Sequence, residues 1–154
     1  MSWEIWSVFA AAFISATVLP GGSEVVLIAA IGLGNVDWVT LVGVATLGNT
    51  LGSSTNWVIG RVYAEYKDDP RLPKFLRSPI SPEKYETYAA WYAKWGVWTL
   101  AASWVPLIGD ALTIVSGIMK APFWLSMVII ALAKGARYVL VAIATVYGIR
   151  FFGL

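Results

Sequence analysis

Four ionisable residues stand in otherwise uncharged surroundings: Glu24, Asp110, Lys134 and Arg137, bordered by the charge-free stretches 5–23, 25–36, 95–109, 111–119, 121–133 and 138–149. A lone charge at the centre of a bilayer costs about 2.5–3.5 kcal/mol, so such residues pair with one another or line a path. Two acids and two bases sum to zero, which makes mutual pairing sensible. Pro20, Gly21, Gly22 and Ser23 run directly into Glu24, and Pro106 and Gly109 precede Asp110. A helix that starts behind such a break offers unpaired N–H groups and a positive dipole end. Glycine there lets a ligand approach the backbone. Lys134, Arg137 and Tyr138 add donors within one helical turn. The chemistry this favours is anion binding, and phosphate fits it. Glu24 and Asp110 then act as proton carriers or as counter-charges that the substrate displaces; the structural alternative is compensation of the helix N-termini.

Other chemistries are excluded by composition. With no Cys and no His, the chain has no disulfide, no Cys/His zinc site, no haem ligand and no His-based triad. No nucleophile–base or metal constellation is visible, so neither an enzyme nor a cofactor is expected. A net charge of +2 is too small to argue for nucleic acid. Charged residues make up 13% of the 154 and hydrophobic ones 58%, with a mean hydropathy of +0.70. Soluble domains carry about a quarter charged residues, so the apolar excess must face lipid. Nine Trp, seven Tyr and six Phe suit interfacial belts. The apolar run beginning at Trp3 lacks a basic leader, so no cleaved signal peptide is expected. Residues 1–154 read as one membrane domain.

The elements that must position these residues follow from the charge pattern. Twelve of the 20 charges fall between Arg61 and Lys94, together with Pro70, Pro73, Pro79 and Pro82, which marks 62–86 as a solvated linker. Trp38–Gly60 supplies 23 uncharged residues, enough to span, and 122–148 is also long enough. Residues 25–34, 95–105 and 110–119 are too short to cross and flank the two Pro/Gly breaks, which predicts re-entrant hairpins. Irregular backbone at membrane depth survives only inside protein or against water. The breaks repeat at one offset: Pro20 and Pro106, Glu24 and Asp110, and Trp38 and Trp124 are each 86 apart, and Gly48-Asn49 falls opposite Lys134-Gly135. The prediction is an all-α membrane protein of two inverted repeats, 1–61 and 87–150, each a re-entrant hairpin plus one spanning helix, with the site at the midplane. Chance spacing in a Gly-rich chain is the competing explanation.

Arg61, Lys67, Arg71, Lys74, Arg77, Lys84, Lys94 and Lys120 put the linker in the cytoplasm and both termini outside. Ser81-Pro82 reads as an N-cap followed by proline at the first helical position. Tyr85, Tyr88, Tyr92 and Trp95 then form one face of an interfacial amphipathic helix that anchors to the membrane. Gly48, Gly52, Asn56 and Gly60 recur every four residues; the glycines suit close packing, whereas Asn49 and Asn56 are expected to line the pathway or bond the hairpin tips.

Leu19–Leu27 (LPGGSEVVL), Gly48–Gly52 with Thr55-Asn56, Ser103–Asp110 (SWVPLIGD) and Lys134–Tyr138 (KGARY) resemble the YqaA branch of the DedA family, in the same order over nearly the whole chain. The resemblance implies the fold of the SNARE-associated (VTT-domain) superfamily, with two facing re-entrant hairpins. It also implies a place in the prokaryotic inner membrane and a role in moving a lipid carrier such as undecaprenyl phosphate, with coupling to protons. Here Ser103 and Asp110 stand where longer members have arginines, so Lys134 and Arg137 are expected to supply the positive charge. The expected function is a flippase or transporter of an anionic, phosphate-bearing lipid, with membrane lipids as partners; the alternative is a non-transporting scaffold with a structural ion cluster. Two spans make a thin wall around a path, which predicts a homodimer.

Overall fold

Both apolar stretches that flank Pro20 wind into helices: α1 (Trp3–Thr17) before it and α2 (Gly22–Leu33) after it. The computed structural model describes residues 2–17 and 21–153, so the predicted break at Pro20 itself lies outside the described residues. Gly21 enters α2 in a left-handed conformation (φ 94°), which glycine adopts without a Cβ penalty. At one end of the pair Ser23 donates to Ser15 at 3.4 Å; at the other Asn35 donates to Glu4 at 2.7 Å. The two helices therefore run antiparallel.

Asp37 starts the next helix, α3 (Trp38–Tyr66), by accepting the backbone N–H and the hydroxyl of Thr40, both at 2.7 Å, an acidic cap at a positive helix end. These bonds, the backbone one foremost, hold the Asp37 carboxyl below its ordinary pKa. After a short α4 (Lys74–Arg77), α5 (Pro82–Trp95) begins with proline at its first position. A 3₁₀ segment (Gly96–Trp104), α6 (Ile108–Ile118) and α7 (Phe123–Phe152) complete the chain. All regular elements among the described residues are helical.

At 30 residues, α7 is about 45 Å long and apolar enough to cross a membrane. With 29 residues, α3 has the length as well. Its run Asn49, Thr50, Ser53, Ser54, Thr55, Asn56 dilutes its apolar character, so among the described residues α7 alone meets the test of length and composition.

The chain divides into two compact units, Met1–Gly52 with Ala131–Leu154, and Ser53–Ile130. In the first, Val8, Ala12, Leu27, Leu41, Tyr138 and Ala142 form a buried core. Here α3 lies so near α1 that a Cβ on Gly52 would come within 2.6 Å of the Phe13 carbonyl oxygen and 2.7 Å of Ala16 Cβ. Lipid tails are as apolar as leucine, so such close packing has to supply what hydrophobic burial supplies in water.

In the second unit Leu100, Leu112 and Ile130 pack with Trp57 and Phe123, whose rings meet edge to face at 5.2 Å. Gly60 and Gly117 form a reciprocal contact: a Cβ on Gly60 would strike the Ile114 carbonyl, and one on Gly117 the Trp57 carbonyl. The small-residue reading of the stripe holds for these glycines. At the second break Leu107 takes a left-handed backbone (φ 69°), and α6 begins at Ile108.

The predicted aromatic face of α5 is shared between the protein's own core and the surface. Tyr85, Tyr88 and Tyr92 are half-buried, with Tyr88 against the unit's core, while Trp91, Trp95 and Trp98 are 41%, 62% and 66% exposed. Spacing of three and four defines a helix face, but both a lipid surface and the protein's own core select it. Ser81 occupies the N-cap position with extended backbone, but its hydroxyl makes no cap bond.

Candidate functional site

Lysine can only donate hydrogen bonds, and the first unit is organised around that constraint. The buried Lys134 of α7 donates to Asn49 Oδ1 at 2.5 Å. The Asn49 amide must then point its NH2 the other way, and it donates to the Tyr138 hydroxyl at 2.8 Å. That hydroxyl has to pass its own hydrogen onward, to Ser23 Oγ at 2.9 Å, and Ser23 donates to Ser15. One row of donors thus crosses α7, α3, α2 and α1. Asn49, Ser23, Ser15 and Lys134 are each at most 6% exposed, and Tyr138 is fully buried. Bonds that all point one way polarise each other, and a fully satisfied buried row fixes a unique packing.

Beside this row Arg137 pairs with Glu24 at 2.6 Å, with side chains 13% and 28% exposed, so the pair is only partly desolvated. The Arg137 guanidinium also lies 5.6 Å from the centre of the Tyr138 ring, within cation–π range. The two α7 cations that the sequence singles out therefore meet at one tyrosine, Arg137 through its face and Lys134 through its hydroxyl by way of Asn49.

Glu24 sits in the first turn of α2, next to Gly21 and Gly22. A Cβ at either glycine would meet nothing within 4 Å among the described residues, so none of them packs on this turn. A partly exposed ion pair beside an open helix N-terminus can exchange its carboxylate for another anion.

Of the predicted site residues, Gly21, Gly22, Ser23, Glu24, Asn49, Lys134, Arg137 and Tyr138 come together in the first unit. Pro20 lies outside the described residues. Asn56, Pro106, Gly109 and Asp110 belong to the second unit, where Asn56 is buried, Pro106 is exposed at the break, and Asp110 stands in the first turn of α6. Gly109 is packed there so closely that a Cβ would strike the Ser103 backbone, and its carbonyl accepts the Thr113 hydroxyl at 2.7 Å. The close approach at Gly109 is thus made by protein. Sequence reasoning missed Ser15; its signal is a second serine eight residues before Ser23, mirrored across the break. It also missed the Glu4–Asn35 bond that closes the far end of the α1–α2 pair. Among the described residues no three acids come together as a metal ion would require.

A family model described as the VTT domain matches residues 19–147. Inner membrane protein YqaA of Escherichia coli is 38% identical over 149 residues, covering 96% of this chain and 95% of its own length. The protein of the same name from Shigella flexneri matches equally. An uncharacterized protein of Haemophilus influenzae is 38% identical over 140 residues, 85% of this chain and 80% of its own. No solved structure matches.

Proposed function

The chain belongs to the VTT-domain (DedA) family of inner-membrane proteins, and from that premise we propose that it moves an anionic, phosphate-bearing lipid across the membrane, coupled to protons. The observation that carries this reading is the Arg137–Glu24 pair, at 2.6 Å, beside the open first turn of α2. A phosphate arriving there takes Arg137 and the α2 amides as partners and displaces Glu24. Released from the pair, Glu24 is then the group that carries the proton. Substrate binding and proton uptake become linked, and linkage is reciprocal. Asp110, 86 positions on and also in the first turn of its helix, takes the same part in the second repeat. This reading makes the α1–α2 pair and the Gly96–Ile118 segment re-entrant hairpins, each followed by a crossing helix, so that the repeats are inverted. Helices broken at membrane depth are how transporters present helix ends to their cargo.

One observation favours a second reading, a scaffold: the donor row from Lys134 to Ser15 is complete without any ligand. Titrating a short-chain polyprenyl phosphate into the purified protein between pH 5 and 8 separates the two. The transport reading expects tighter binding at lower pH and a flattened response in Glu24→Gln and Asp110→Asn. Affinity independent of pH, or a response unchanged in both variants, removes the proton coupling. No binding at any pH leaves the scaffold. Pairing Arg137→Ala with Glu24→Gln is expected to restore folding but not transport; normal transport by that double variant also favours the scaffold.

A further inference from the structure

The second unit holds a cavity of about 380 Å³ beneath the basic segment, between the C-terminal ends of α3 and α6 and the start of α5. Its polar lining is Tyr63, Lys67, Ser78 and Tyr85, and its apolar lining includes Ile80 and Ile118. All four polar side chains are hydrogen-bond donors, and none of them has a side-chain hydrogen bond or ion pair with the described residues. Neighbouring cations differ. Arg61 is paired with Glu65 at 2.7 Å, and Arg77 donates to the Leu72 carbonyl at 2.9 Å and to that of Pro70. No acid lines the cavity, so Lys67 leaves it with a net positive charge. Pro82 of the lining opens α5, a 14-residue helix whose N-cap side chain makes no bond to the first turn. The first-turn amides face the same end of the space, where Glu83 of that turn offsets part of their charge.

We propose that this cavity binds the phosphate headgroup of an anionic membrane lipid, distinct from the intramembrane pair and independent of whether the chain translocates anything. Lys67 supplies the charge, and Ser78, Tyr63 and Tyr85 supply directed donors to the phosphate oxygens. Ile80, Ile118, Pro79 and Pro82 cover the first carbons of the lipid. The apolar half of the lining selects a lipid over free phosphate. The position fits as well, because α3 and α6 leave their apolar stretches at this point, where headgroups lie.

The test titrates dihexanoyl phosphatidic acid, dihexanoyl phosphatidylcholine and inorganic phosphate into the full chain in detergent by calorimetry. Phosphatidic acid is expected to bind most tightly. Lys67→Gln is expected to weaken it about tenfold, as loss of a charged hydrogen bond does, and Tyr85→Phe several-fold. Lys74→Gln removes the same charge outside the cavity and is expected to change affinity less than about twofold, a control for diffuse attraction. Both Lys67 and Tyr85 variants keep the backbone and core intact, so folding is not at issue. Equal losses in Lys67→Gln and Lys74→Gln, inorganic phosphate binding as tightly as the lipid, or no binding of phosphatidic acid would each overturn the assignment.

Discussion

The Tyr138 hydroxyl donates to Ser23 Oγ at 2.9 Å across a separation of 115 residues, and it does so because Asn49 occupies its acceptor side. Tyr138 is therefore the middle of the buried row, with helices on either side depending on it. Tyr138→Phe keeps the ring and deletes one oxygen, leaving the Asn49 amide without an acceptor and Ser23 without a donor. The expected loss is about 1–3 kcal/mol of stability, read as a lower thermal midpoint in detergent. Adding Asn49→Leu is expected to cost less than its single-variant effect, since the orphaned amide goes with it. Strict additivity would show that the two residues do not act as one unit.

The reciprocal glycine contact gives a steric prediction with an internal control. Gly117→Ala drives a methyl group into the Trp57 carbonyl, and backbone cannot rotate away as a side chain can. We expect about 1–3 kcal/mol of destabilisation, seen as a lower thermal midpoint and loss of monodisperse protein on size exclusion. Gly43→Ala, in the same long helix as Gly60 but with nothing within 4 Å, is expected to stabilise by about 0.5–1 kcal/mol. Equal effects would sink the close-packing account.

Asp37 makes stability depend on pH at the start of α3. Its folded pKa is depressed, first by the Thr40 N–H and then by the Thr40 hydroxyl. A depressed carboxyl contributes stability above its unfolded pKa and loses it as pH falls through the folded one, here below about pH 4. Melting curves between pH 3 and 6 are expected to show this acid-side loss in the parent chain and a shallower one in Asp37→Asn. Identical slopes would mean that the cap is not what titrates.

Topology is testable by labelling. The chain has no cysteine, so single cysteines can be placed at Ser78 and at the exposed Phe152. Ser78→Cys is expected to react only from the cytoplasm, and Phe152→Cys only from outside. Reaction of both from one side would leave α7 without a net crossing of the membrane relative to the linker.

The residues of the first unit's site were legible because charge inside apolar sequence is rare and costly, so Glu24, Lys134 and Arg137 announce themselves. Their order of contact was not legible. Nothing in the sequence says that Asn49 comes between Lys134 and Tyr138, since that depends on how α3 and α7 are rotated. Ser15 was lost for a related reason: its mirror position to Ser23 across the break counts only once the two helices are known to run antiparallel. The Tyr85–Tyr88–Tyr92 stripe was legible as a helix face but not as to what covers it. Gly96–Trp104 contains nothing that forbids an α-helix, and its tighter winding accompanies the Thr99 hydroxyl bonded back to the Gly96 carbonyl at 2.7 Å.

The forced direction of the row from Lys134 bears on motion. Asn49 cannot turn its amide over, because an NH2 would then confront the ammonium and a carbonyl would confront a hydroxyl already committed to Ser23. Tyr138 and Ser23 are held in the same way by the neighbour upstream. These side chains are therefore not independent rotors; they share a single setting. Reversing any one of them sets donor against donor or acceptor against acceptor at the next contact. The four helices that contribute to the row are thus tied by one shared orientation, and none of its side chains turns without its neighbours.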